Sequence, residues 1–140
     1  MTSRPRTVED CNKLGQDRLP GLIGMEVTAA DRDGISCRLQ IRPDHLAPNG
    51  FLHAATVIAL ADTACGHGAF LALPPGATGF TTIELKSNFL ATLRDGEIRC
   101  QATPAHIGRS TQVWDAVVTN AATEATLAIF RCTQMVLWPR

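Results

Sequence analysis

Between Leu52 and Leu73 the chain carries its longest uninterrupted helical pattern, rich in Ala, Val, Ile and Leu and stopped by Pro74-Pro75-Gly76. Upstream, two alternating runs, Met25 to Ala30 and Ile35 to Ile41, flank Asp33-Gly34 and predict a β-hairpin. Downstream the pattern favours strands over Phe80–Thr92, Glu97–Ala105, Thr111–Thr119 and Ala125–Leu137, with turns at Arg94-Asp95-Gly96, Gly108-Arg109-Ser110 and Asn120 to Thr123. Thr7 caps a predicted short helix from Val8 to Leu19, which Pro20-Gly21 should end. The order is helix, two strands, one long apolar helix and four strands. Strands joined by short turns run antiparallel, and an antiparallel sheet needs cover on one face only. The expected class is α+β, a curved sheet wrapped around one central helix. Residues 1–140 read as one domain, with 1–21 as a helical cover segment.

Composition narrows the partners. Thirteen basic residues balance thirteen acidic ones, so the clustered positive charge that carries nucleic-acid or polybasic membrane binding is not expected. No run of about 18 uninterrupted apolar residues occurs, and the basic start has no apolar stretch behind it. The five cysteines are scattered, odd in number and free of Cys-x-x-Cys spacing, which argues against a structural zinc site. The expected setting is the cytoplasm, with reduced thiols and no metal.

One residue breaks the apolar pattern. Asp62 lies midway along the long helix, where a carboxylate buried without partners costs several kcal/mol. At 100° per residue, Ala55, Ala59, Gly66 and Ala69 share its side, a face of small side chains that a ligand or backbone can approach. His53 precedes Asp62 by nine residues, roughly 180° around the helix and about 13 Å along it, so the two cannot pair within one chain. The helix start offers unpaired N–H groups around Ala54, Ala55 and Thr56, suited to a carbonyl oxygen that becomes an oxyanion. Two copies with antiparallel helices would set Asp62 of one against the helix start of the other, giving two sites per dimer.

The segment His53-Ala54-Ala55, seven residues after which stands Asp62 within Leu60-Ala61-Asp62-Thr63, resembles the hotdog-fold thioesterases of the phenylacetate-degradation type. Those proteins typically carry His-Gly-Gly and a following Leu-Ala-Asp-Thr or Leu-Ala-Glu-Thr, and the likeness extends in element order from about Leu22 to Leu137. The resemblance implies an acyl-CoA thioesterase in which Asp62 is nucleophile or general base. It implies that the amide near Ala55 polarises the thioester carbonyl and that His53 supports that loop. Asn49 would position substrate or water, and Thr82, with Thr81 in reserve, would place a hydroxyl beside the acid. Arg94, Arg109 and Ser110 would meet the coenzyme A phosphates. Coenzyme A enters as part of the substrate, no other cofactor is implied, and the assembly is a homodimer or a dimer of dimers.

Two other readings stay open on the sequence: a hydratase or dehydratase of acyl thioesters, and a non-catalytic acyl-CoA-binding protein. Cys65 has no histidine three or four residues on to activate it and reads as a small core hydrophobe. Glu84 on a strand reads as a partner for a basic neighbour such as Arg99.

Overall fold

A computed structural model describes residues 4–140 of the chain; residues 1–3, the start of the 1–21 cover, lie outside the described part. Helix α1 (Val8–Gly15) opens on a reciprocal cap: the Asp10 amide donates to Thr7 Oγ1 at 3.1 Å, and the Thr7 amide donates to the Asp10 carboxylate at 3.2 Å. The single helix expected over Val8–Leu19 is in fact two. α1 stops at Gly15, ahead of Asp17 at φ 56°, and Pro20 falls in the first turn of a second helix, α2 (Leu19–Ile23), where its missing N–H is no loss. Gly24, at φ 80°, terminates α2 in a left-handed conformation.

The hairpin follows as β1 (Glu26–Asp31) and β2 (Gly34–Gln40). A 3₁₀ turn (Pro43–His45) and an irregular loop lead into α3 (Ala54–Leu71), and then come β3 (Gly79–Phe89), β4 (Glu97–Ile107), β5 (Thr111–Asn120) and β6 (Thr126–Leu137). The six strands form one antiparallel sheet in the order β1-β2-β4-β5-β6-β3. This is the α+β hotdog arrangement: a curved sheet around one long helix. One pairing departs from the sequence reading. Strands β3 and β4 are consecutive but not neighbours, since β3 crosses to the far edge and pairs with β6. Glu84 therefore never meets Arg99; it accepts a hydrogen bond from Thr133 Oγ1 at 2.9 Å, and Arg99 pairs with Glu97.

Helix α3 is long and apolar enough to cross a membrane by composition, and the sheet explains that apolarity. Leu60, Ala61, Ala64 and Cys65 are fully buried against Ile35, Leu39, Ile98, Trp114 and Val118 from the concave face. The tightest contact is at Gly68, where an added Cβ would lie 2.5 Å from the Trp114 ring. Trp114 cannot slide away freely, because its indole N–H donates to Gln112 Oε1 at 2.8 Å, while Gln112 Nε2 caps α3 through the Ala69 and Ala72 carbonyls. Gly68→Ala therefore sets a helix-propensity gain of at most about 1 kcal/mol against overpacking of about 1–3 kcal/mol. A net loss of stability is expected in urea denaturation, whereas an unchanged midpoint would mean that the ring yields.

Candidate active site

One flank of α3 escapes the sheet. Ala55, Ile58, Ala59, Asp62, Thr63, Gly66 and Phe70 are exposed or half-buried along it, close to the face expected from the helical period. Ala69 is the exception: it is fully buried, and Phe70 takes its place on the open side. Beyond Asp62 this flank is closed by aromatic rings. A Cβ on Gly66 would lie 3.2 Å from Phe80 Cζ, and Phe80 meets Phe70 edge to face at 4.9 Å between centroids.

Oδ1 of Asp62 is buried and has no hydrogen-bond partner among the described residues, nor does Asp62 join any of their salt bridges. Burial alone pushes its carboxyl above the ordinary aspartate value, so the ionised form is held without compensation. Cys65, three residues on, is inert by comparison. The Cys132 thiol hydrogen-bonded to it, together with burial, drives its pKa upward and keeps it a thiol.

The helix start is built differently from the sequence reading in one respect. His53 is the N-cap, and its Nδ1 accepts the Ala55 amide at 2.8 Å. The Thr56 amide donates to the His53 carbonyl at 3.0 Å. The N–H expected to face a carbonyl oxygen, that of Ala55, is thus occupied, and among the described residues the amide left without an acceptor is Ala54's. Capping rules contain the correction: an N-cap side chain takes the amide two or three residues on, leaving the first one free.

The other expected residues fall in several places. Asn49 is exposed and its side-chain oxygen accepts the Phe51 amide at 3.1 Å, closing the turn in which Gly50 adopts φ 84°. Arg94 stacks on the Phe51 ring, 4.2 Å from its centroid, and Leu52 N–H donates to the Leu93 carbonyl, which places Arg94 beside the helix start. Arg109 and Ser110 lie in the β4–β5 turn, at the opposite end of α3, where Arg109 stacks on Trp138 at 4.7 Å. The 18 residues of α3 span about 27 Å, so Arg94 and Arg109 of one chain cannot hold the same phosphate. Thr82 shares the concave face with α3 and donates to the buried Gln134 Oε1 at 2.7 Å; it makes no hydrogen bond to Asp62. Thr81, opposite the exposed Met135, points to the other face by strand alternation and is no substitute.

Two further histidines are enclosed. His45 and His67 are 3% and 7% exposed, and burial is the main cause holding both below the ordinary histidine value. A depressed folded-state pKa means that stability is complete above about pH 6.5 and is lost as the pH falls, because the unfolded chain takes up protons that the folded one refuses. The urea midpoint is expected to drop between pH 7.5 and 5.5, and by less in His67→Gln. Equal pH dependence in the two proteins would contradict this.

Comparison with known proteins agrees with this geometry. Residues 49–126 match the family model of the thioesterase superfamily. The 1,4-dihydroxy-2-naphthoyl-CoA hydrolase of Listeria monocytogenes is 33% identical over 111 residues, covering 79% of this chain and 89% of that protein. The crystal structure of a Haemophilus influenzae thioesterase matches with a TM-score of 0.88 at 26% identity, over 98% of this chain and 95% of that one. A mutant thioesterase of Pseudomonas aeruginosa, 24% identical, shares the fold with a TM-score of 0.87 over 96% of each chain. The chain belongs to the thioesterase superfamily and is, by class, a thioester hydrolase.

Proposed function

We propose that the chain hydrolyses acyl-CoA thioesters at sites shared between two subunits, with Asp62 of one facing the Ala54 amide of the other. The observation that carries this reading is the unpartnered, buried carboxylate oxygen on the open flank of α3. A half-buried carboxylate with one oxygen shielded from water and no counterion beside it is a stronger base than one in solution, and its raised pKa brings it nearer to the working pH. As general base, Asp62 takes a proton from water while the oxygen bonds to the thioester carbon. The carbonyl oxygen gains the negative charge and is met by the partner's Ala54 N–H at the positive end of α3. The C–S bond then breaks, and the thiolate of coenzyme A leaves with the proton that Asp62 holds. As nucleophile, Asp62 would instead attack the thioester carbon and expel the coenzyme A thiolate, forming a mixed anhydride that water opens to the acid and the free Asp62 carboxylate. Neither course calls for a metal or redox cofactor, because a thioester is already activated.

A second copy is the partner that the sheet edge suggests. Strand β3 has no neighbour on its outer side and leaves Ile83, Leu85 and Phe89 exposed, a long apolar edge of the kind that pairing covers. Antiparallel β3 pairing about a two-fold axis extends the sheet and lays the open flanks of α3 side by side. Arg94 then flanks the helix start that its own chain contributes, where a phosphate of coenzyme A can pair with it. Arg109 and Ser110 would reach only the partner's site. Within one chain His53 and Asp62 lie nine residues apart on α3 and form no joined His–acid site; a hydratase would need the second subunit to bring them together, and it would release no free thiol. Reduced, uncrosslinked thiols suit a cytoplasmic setting.

The test is a panel of short, medium, long and aryl acyl-CoAs, followed by the appearance of free thiol. Hydrolysis of at least one class is expected; tight binding of acyl-CoA with no thiol released would instead make the protein a carrier or sensor.

A further inference from the structure

His45 has no part in the chemistry outlined above, yet it is 3% exposed, and its Nε2 is buried without a hydrogen-bond partner among the described residues. Its other polar atoms are engaged: the amide and the ring Nδ1 within the 42–45 turn, the carbonyl at the start of α3. The ring Nδ1 accepts the Arg42 amide at 2.9 Å, closing the 3₁₀ turn upon itself. The His45 carbonyl accepts twice, from the His53 amide at 3.0 Å and from the Thr56 hydroxyl at 2.9 Å. His53 and Thr56 bracket Ala54, so one carbonyl holds both ends of the first turn of α3, whose Ala54 N–H is free among the described residues. Arg42 extends the tie, donating through Nη2 to the Leu22 carbonyl at 2.8 Å and so fastening the turn to α2.

We infer that His45 is a positioning residue for thioester hydrolysis: its ring locks the 42–45 turn, and through its carbonyl that turn aims the Ala54 amide at the developing oxyanion. The inference rests on the proposed function. A phenylalanine or leucine would fill the same space without an acceptor, leaving the Arg42 amide inside the turn unpaired, so what the ring supplies is Nδ1. A donor displaced from the oxyanion position loses far more in the transition state than in substrate binding. The role therefore shows in kcat rather than in KM.

Three variants test it, assayed beside Asp62→Asn on the best acyl-CoA of the panel. His45→Phe keeps the ring and removes the acceptor; His45→Asn returns an acceptor close to the position of Nδ1; Thr56→Val removes one donor to the carbonyl while keeping the shape. His45→Phe is expected to lower kcat about 10- to 100-fold with KM within about twofold, and His45→Asn to recover most of that loss. Thr56→Val is expected to lower kcat several-fold, again without moving KM. If His45→Phe does not fold, the comparison of Thr56→Val with His45→Asn decides alone. Wild-type kcat in Thr56→Val, or a rise in KM at constant kcat in the His45 variants, overturns the assignment. Asp62→Asn separates the two levels: full turnover in that variant removes the proposed role of Asp62, whereas a slow His45→Phe beside it still places the helix start in the reaction.

Discussion

Asp62→Asn is expected to fold, to keep its oligomeric state, to melt a few degrees higher than the wild type at neutral pH, and to lose turnover about 10²- to 10⁴-fold. The two effects share one cause. Burial holds the Asp62 carboxyl above its usual pKa, and Oδ1 has no donor to compensate, so at neutral pH the folded state carries an unpaired charge that a neutral amide relieves. The sign follows from linkage: a carboxyl whose folded-state pKa is raised destabilises above that pKa, and the penalty fades as the pH falls through it. The gain in melting temperature from Asp62→Asn should therefore shrink in acid, where the wild-type carboxyl is itself protonated. The rate moves the other way, because only the carboxylate accepts a proton or attacks, and kcat should fall on the acid side with the titration of Asp62. A variant no more stable than the wild type, or fully active, would show that the carboxylate is satisfied by a group of the assembly and spends no strain on catalysis.

Ala54→Pro is the sharpest test of the opposite pole. Ala54 is the first residue of α3, a position where proline is well tolerated because the N–H it lacks has no partner within the helix. The preceding residue, His53, sits at φ −69° and ψ 136°, an extended conformation that a following proline requires. The substitution thus deletes one hydrogen-bond donor and leaves the caps at Ala55 and Thr56 in place. Turnover is expected to fall about 10²- to 10³-fold, the usual loss for one oxyanion donor, with the urea midpoint near that of the wild type. Activity within a factor of a few of the wild type would place the oxyanion elsewhere.

The sequence was most legible where a single local rule decides the outcome. The apolar run into Pro74-Pro75-Gly76 marked α3 to within two residues at each end, and the hairpin expected around Asp33-Gly34 formed as β1 and β2, with Arg32-Asp33 as its turn and Gly34 already paired with Asp31. Asp62 stood out because a charge in such a helix contradicts its surroundings. Rules that compete locally read less clearly. Pro20 reads as a helix stop yet stands in the opening turn of α2, while α1 has already ended at Gly15, ahead of the left-handed Asp17. The edge position of β3 is a matter of long-range pairing, and no turn signal between Leu90 and Gly96 reveals that β3 skips β4 for β6. At the helix start the N–H groups were visible, but not which of them the His53 ring had already taken. The separation of Arg94 from Arg109 likewise depends on which sheet end each turn occupies, a property of topology rather than of composition.

Asp62→Asn and Ala54→Pro each damage one half of a site that, on this account, two chains share. Mixing the two inactive proteins under conditions of subunit exchange would build mixed dimers in which one site has lost both groups and the other retains both. Recovery to about a quarter of wild-type turnover is the expected result, since about half of the dimers are mixed and each has one whole site. A mixture no more active than its two components, with exchange verified, would contradict an active site assembled across the subunit boundary.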